Sequence, residues 1–136
     1  MNYLLDTNIC IALINGTSEA VRRRHIEATS HLPTPQTSSI VAHELWYGVA
    51  KSGREAQNAN RLAAFLNGAV EVLEYSERDA QVAGEIRAEL ERQGRRIGDY
   101  DTLIAGQAVA RGMVLVTANT REFERIRGLT VEDWTQ

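Results

Sequence analysis

Short apolar runs in this chain end repeatedly in small polar clusters that open helices. Tyr3-Leu4-Leu5 runs into Asp6-Thr7-Asn8, and Ile9, Ile11, Ala12, Leu13 and Ile14 follow before a stop at Gly16. Met113-Val114-Leu115-Val116 runs into Thr117-Ala118-Asn119-Thr120-Arg121-Glu122-Phe123. An unbroken apolar run of that length reads as a strand buried on both faces, the mark of a parallel sheet. Parallel strands need long crossovers, usually helical. A chain built this way is constrained to an α/β fold with a largely parallel sheet.

The intervening sequence supplies the other elements. Ser18 opens a charged helix through Ala28, and the proline-bearing segment His31–Pro35 leads to a short strand at Gln36-Thr37-Ser38. Ser39 is expected to cap a helix carrying Ile40, Val41, Leu45, Trp46 and Val49. After Gly53, the spacing of Ala59, Leu62, Phe65 and Leu66 predicts a helix to Gly68, and Val70–Leu73 a strand. Ser76-x-x-Asp79 has the form of a capping box and opens a helix with Val82, Ala83, Ile86 and Leu90 on one face, stopped at Gly94. A further helix runs to Gly112, Leu129–Val131 suits an edge strand, and Trp134 suits a core plug. With 136 residues and neither repeat nor linker, one domain spanning 1–136 is expected.

Composition excludes several chemistries. Cys10 is the only cysteine, so cysteine-based zinc ligation is ruled out, and its apolar setting suits a small buried hydrophobe. His25, His31 and His43 lack ligand spacing. Asp6 interrupts the first apolar residues and no basic segment precedes them, so a cytoplasmic protein without a membrane span is expected. The net charge of −3 rules out an indiscriminate nucleic-acid binder. Fourteen of the fifteen Lys and Arg residues are arginines, with clusters at Arg22-Arg23-Arg24 and Arg95-Arg96. Arginine is the residue that grips phosphate bidentately.

The acids are placed more tellingly than their number suggests. In Ile97-Gly98-Asp99-Tyr100-Asp101-Thr102-Leu103-Ile104-Ala105, two aspartates precede a helical apolar pattern. The plain expectation is that one caps the helix while the other is solvated. Asp6, however, ends a strand, and Glu44 lies early in a helix. A parallel sheet gathers strand ends and helix starts along one edge, where ligands of open α/β sheets bind. Carboxylates meeting there without lysine partners repel each other, and a hard divalent cation such as Mg²⁺ or Mn²⁺ relieves the repulsion. Carboxylate-held Mg²⁺ is the usual apparatus of phosphodiester hydrolysis.

The residues also carry a resemblance. Leu5-Asp6-Thr7-Asn8-Ile9, Ala42-His43-Glu44-Leu45-x-Tyr47-Gly48, Gly94-Arg95-x-Ile97-Gly98-x-x-Asp101-x-x-Ile104-Ala105, Val116-Thr117-x-Asn119-x-x-Glu122-Phe123-x-Arg125 and Glu132-Asp133-Trp134 stand in order along the whole chain. As a set they resemble a PIN-domain nuclease, and more closely the VapC-type toxins of bacterial toxin–antitoxin pairs. The resemblance implies a three-layer α/β/α sandwich and a Mg²⁺-dependent endoribonuclease. It implies Asp6, Glu44 and Asp101 as the metal-site acids, with Asn119 or Glu122 at a fourth corner. Asn8 is expected to orient Asp6 and Thr117 to bond a metal-bound water, while Asp99 departs from the family pattern and is either a rim acid or a loop residue. The implied partners are a VapB-type antitoxin, which alone would contact operator DNA, a second copy of the chain, and an RNA substrate. Similar toxins cut initiator tRNA in its anticodon stem-loop. Arg95, Arg96 and Arg121 are candidate RNA contacts, and Ile9, Leu13, Trp46 and Tyr47 are candidates for the antitoxin groove or for ordinary core.

Two other classes are open to the same residues. A phosphoryl-accepting receiver domain needs a lysine after a late strand, and Lys51 is the only lysine. A degenerate PIN-like scaffold without catalysis would not need three intact acids.

Overall fold

The computed structural model describes residues 1–136. The elements run β1 (Tyr3–Leu5), α1 (Thr7–Asn15), α2 (Glu19–Thr29), β2 (Gln36–Ser38), α3 (Ser39–Ala50) and α4 (Glu55–Gly68). There follow β3 (Glu71–Leu73), α5 (Glu77–Arg92), α6 (Asp99–Arg111), β4 (Val114–Val116), α7 (Thr120–Phe123) and β5 (Thr130–Glu132). The sheet is five-stranded, every pairing is parallel, and the order is β3-β2-β1-β4-β5.

That order fixes where a ligand belongs. From β1 the chain steps outward to β2 and β3, then returns to the other side of β1 for β4 and β5. Right-handed crossovers put helices of the outward path on one face and those of the return path on the other. The order reverses between β1 and β4, so their carboxyl ends flank the crevice at the topological switch point. Leu5 pairs with Val116 there, and the Asp6 N–H donates to the Val116 carbonyl at 3.1 Å. Asp6 and Thr117 are the residues that follow these two strands.

Local rules account for most element ends. Asp6 is itself the N-cap of α1, accepting from the Ile9 N–H at 3.1 Å, and Gly16 closes that helix with φ +64°. The Ser76–Asp79 capping box forms with both its bonds. Two caps differ from expectation. Ser38, not Ser39, caps α3, because β2 turns directly into the helix and the Ser39 hydroxyl instead accepts from the Tyr75 N–H. Helix α6 starts at Asp99 with Gly98 as N-cap, so neither aspartate caps it and both lie in its first turn. There they face the positive end of the helix dipole.

A cluster of 21 buried residues, from Leu4 to Trp134, fills the interior. Val114, Leu115 and Val116 are all buried, as a central parallel strand requires, and Cys10 and Trp134 lie inside as well. Helices α5 and α6 pack so closely that a Cβ added at Gly106 would lie 2.5 Å from that of Ala83. Only glycine permits this approach. No helix is long and apolar enough to cross a membrane.

Candidate active site

Asp6 is fixed by its own helix start. Its carboxylate is 6% exposed, a costly place for a charge with no cation beside it. Burial is the main force pushing its pKa up to about 6. Hydrogen bonds from the Thr117 hydroxyl and the Ile9 N–H pull it down, and the charges of Asp101 and Glu44 push it further up. Asp101, half-buried in the first turn of α6, is also raised, by burial first and then by the charges of Glu122 and Glu44. These mutual effects bring four acids, from the turn after β1 and from α3, α6 and α7, into one field. None of the four pairs with an arginine or lysine, although six ion pairs form elsewhere.

Each remaining acid has its own orienting group. The Thr7 hydroxyl donates to Glu44 Oε1 at 2.7 Å, tying the start of α1 to α3. Asn119 Nδ2 donates to Glu122 Oε2 at 2.9 Å, while the Asn119 N–H donates to Thr117 Oγ1 at 3.0 Å. The two candidates for the fourth corner are therefore hydrogen-bonded to each other.

The donor set suits a hard divalent cation: several desolvated carboxylates, no counter-ion, and neither cysteine nor histidine among them. No three of these side chains converge tightly enough to grip a single ion.

Several expected roles fall elsewhere. Asn8 is exposed and makes no hydrogen bond to Asp6, because the helix turns its side chain outward; Ile9 and Thr117 do the orienting. Thr117 is fully buried against Asp6. Asp99 is neither a loop residue nor an acid free to ligate: it is helical and pairs with Arg96 at 2.9 Å. Arg96 also approaches Glu91 at 3.8 Å, whereas Arg95 and Arg121 are exposed and unpaired.

The apolar groove differs too. Ile9 is 1% exposed and belongs to the core, and Leu13 packs against that core. The groove beside Glu44 is lined instead by Ile11, Ile14, Leu45, Val49 and Leu62, with Arg61 at its rim. Trp46 and Tyr47 are 42% and 59% exposed near it. The apolar spacing of α1 could not say which of its several isoleucines faced inward. Thr7 is an orienting group that the sequence expectations do not include. The signal was present, since Asp6-Thr7-Asn8 offers more cap-type residues than one cap needs.

An all-parallel five-stranded sheet of this order, with carboxylates gathered at its switch point, is the architecture of a PIN-type nuclease. Residues 3–129 match the PIN domain, and the chain belongs to that family. Within it, the chain is a VapC-type ribonuclease, of the kind that forms the toxin half of VapBC toxin–antitoxin pairs. It is 44% identical over 134 residues to the tRNA(fMet)-specific endonuclease VapC of Salmonella typhimurium, covering 98% of each chain. To the Shigella flexneri protein of the same name it is 42% identical over 135 residues, covering 99% of each. A crystal structure of VapBC2 from Rickettsia felis bound to a promoter DNA fragment contains a chain 41% identical, with TM-score 0.90 and coverage of 98% and 99%.

Proposed function

We propose that the chain is the toxin of a two-protein pair, working in the cytoplasm as a single domain. In this reading it is a Mg²⁺- or Mn²⁺-dependent endoribonuclease that cuts initiator tRNA once in its anticodon stem-loop. The observation that carries the metal reading is the raised, unpaired Asp6 carboxyl, held beside Asp101 and Glu44 at the β1–β4 switch point. Asp6, Glu44 and Asp101 would hold the metal, with Glu122 reaching it directly or through water. The bound ion would lower the pKa of an attacking water and neutralise charge gathering on the phosphate. The protein's own part is to fix the acids before substrate arrives. Ile9 and Thr117 orient Asp6, Thr7 orients Glu44, and Asn119 orients Glu122.

The tRNA target is supported by the names of the Salmonella and Shigella relatives and by the physics of recognition. An acidic protein cannot hold long RNA by bulk charge. A folded stem-loop with a splayed strand can be read by shape, with Arg95 and Arg121 free to meet phosphates. The partner would be a VapB-type antitoxin whose helix lies along the groove of Ile11, Ile14 and Leu45 and places a cation among the acids. Operator DNA would be contacted through that antitoxin, and the toxin would form a homodimer. The test is to incubate purified protein with total bacterial RNA and Mg²⁺ and map new ends. One cut in initiator tRNA, lost in Asp6→Ala, supports the reading; cuts scattered through messenger RNA, or confined to ribosomal RNA, contradict the target.

A further inference from the structure

Helices α3 and α6 meet above the sheet edge through two adjacent pairs of residues. One is the acid pair, Glu44 and Asp101, whose charges act on each other. The other is built from the residues immediately before them, His43 and Tyr100. Their rings lie 5.6 Å apart between centroids, tilted by 49°, and His43 Nε2 and the Tyr100 hydroxyl are joined by a 3.1 Å hydrogen bond. Both side chains are exposed, Tyr100 at 47%. An aromatic pair left in water is not explained by core packing, since the apolar faces of both helices are directed elsewhere, through Val41, Leu45, Ile104 and Ala108. The mutual bond holds the two rings in fixed relation, so a third ring can dock with little ordering cost.

We propose that His43 and Tyr100 form a stacking platform for an unpaired nucleobase next to the scissile phosphate, and so help to choose which nucleotide of a loop is presented to the acids. The inference rests on the ribonuclease reading above. Single-stranded bases are commonly read by stacking on Tyr and His rings. On each helix the platform residue directly precedes the acid, His43 before Glu44 and Tyr100 before Asp101, so a base on the rings would lie beside the acids that act on the phosphate. Arg95 and Arg121 would grip phosphates, whereas the platform grips a base, so the two act on different parts of the RNA.

The test couples a protein change to an RNA change. Stem-loop substrates cut by the parent protein are made with an abasic nucleotide at each position flanking the cut, and kcat/KM is measured for the parent, Tyr100→Leu and Tyr100→Phe. Loss of one stacked base is worth about tenfold. At one flanking position the parent should lose about tenfold on the abasic substrate. Tyr100→Leu should lose about the same on intact RNA, mainly in KM, and nothing further on that abasic RNA. Tyr100→Phe, which keeps the ring, should stay within about threefold of the parent on intact RNA. Losses that simply multiply at every position would overturn the platform while leaving the nuclease intact. So would an equal loss in Tyr100→Phe, which would mark the hydroxyl bond as a clasp between helices. A parent protein that cuts no stem-loop would instead overturn the ribonuclease reading itself.

Discussion

The Thr7 hydroxyl donates a 2.7 Å hydrogen bond to Glu44 Oε1 across 37 residues of sequence. It fastens the turn that carries Asp6 to the helix that carries Glu44, and so couples the positions of the two acids. An orienting partner of this kind typically contributes 10–100-fold to metal affinity or activity. Thr7→Val should therefore raise the Mn²⁺ concentration needed for half-maximal cleavage about tenfold or more, while Thr7→Ser restores it. A Mn²⁺ titration of cleavage rate checks this. An unchanged midpoint in Thr7→Val would show that Glu44 needs no holding.

The Asp6 carboxyl makes metal-free protein pH-sensitive in a defined direction. Its folded pKa is about 6 against an ordinary 3.8, chiefly because burial penalises the charge. A raised carboxyl stabilises the fold fully below the unfolded value, and that stability is lost as pH rises through about 6. The shift of about two units corresponds to about 3 kcal/mol. Asp6→Asn keeps the helix cap and removes the charge, so in EDTA at pH 7 it should melt several degrees above the parent. At pH 4 the gap should nearly close. Equal melting temperatures at both pH values would mean that Asp6 is not desolvated.

Asp79 has the opposite sign. Burial alone would raise its pKa, but hydrogen bonds from Arg111 and from Ser76, with the Arg111 charge, hold it below the usual carboxylate range. That stability is present above the unfolded pKa and fades as pH falls through the folded one. Arg111→Met leaves a buried carboxylate without its cation. The cost at pH 7 should be about 2–3 kcal/mol, discounted because Arg111 is about a third exposed. Urea denaturation should show the difference shrinking as pH falls below the usual carboxylate range and Asp79 is protonated.

Much of this was legible in the sequence because local signals agreed. The unbroken run Met113–Val116 announced a buried parallel strand, Gly16 and Gly112 marked helix ends, and Ser76–Asp79 formed its capping box. The acids were legible because α/β topology converts strand ends and helix starts into one edge. What stayed hidden depends on rotation and long-range contact. Nothing local distinguishes Ile9, which is buried, from Ile11, which lines the groove. Asp99 and Asp101 differ only in which side of one helical turn they occupy, and nothing local in the sequence shows that Arg96 pairs with Asp99. Asn8 and Thr7 are both cap types, and only the approach of α3 decides which is used.

That difference between isoleucines gives a fourth prediction. Ile9→Ala removes core volume and should cost about 2–4 kcal/mol in denaturation. Ile11→Ser lies on the groove and should leave stability within about 0.5 kcal/mol. It should nevertheless weaken binding of a VapB-type antitoxin tail about tenfold or more, read by titration calorimetry with the cognate peptide. Full-strength binding by Ile11→Ser would move the antitoxin off this groove.

The central claim is that Asp6, Glu44 and Asp101 act together on one metal to cut RNA. Cleavage of purified initiator tRNA in Mg²⁺ by the parent and by Asp101→Asn tests it most directly, since the substitution keeps shape and removes only charge. The parent should cut once in the anticodon stem-loop and stop in EDTA. Asp101→Asn should fold normally and cut about a thousandfold more slowly, the scale expected when a metal's stabilisation of the transition state is lost. Cleavage by Asp101→Asn at the parent's rate, or cleavage by the parent that persists in EDTA, would contradict the account.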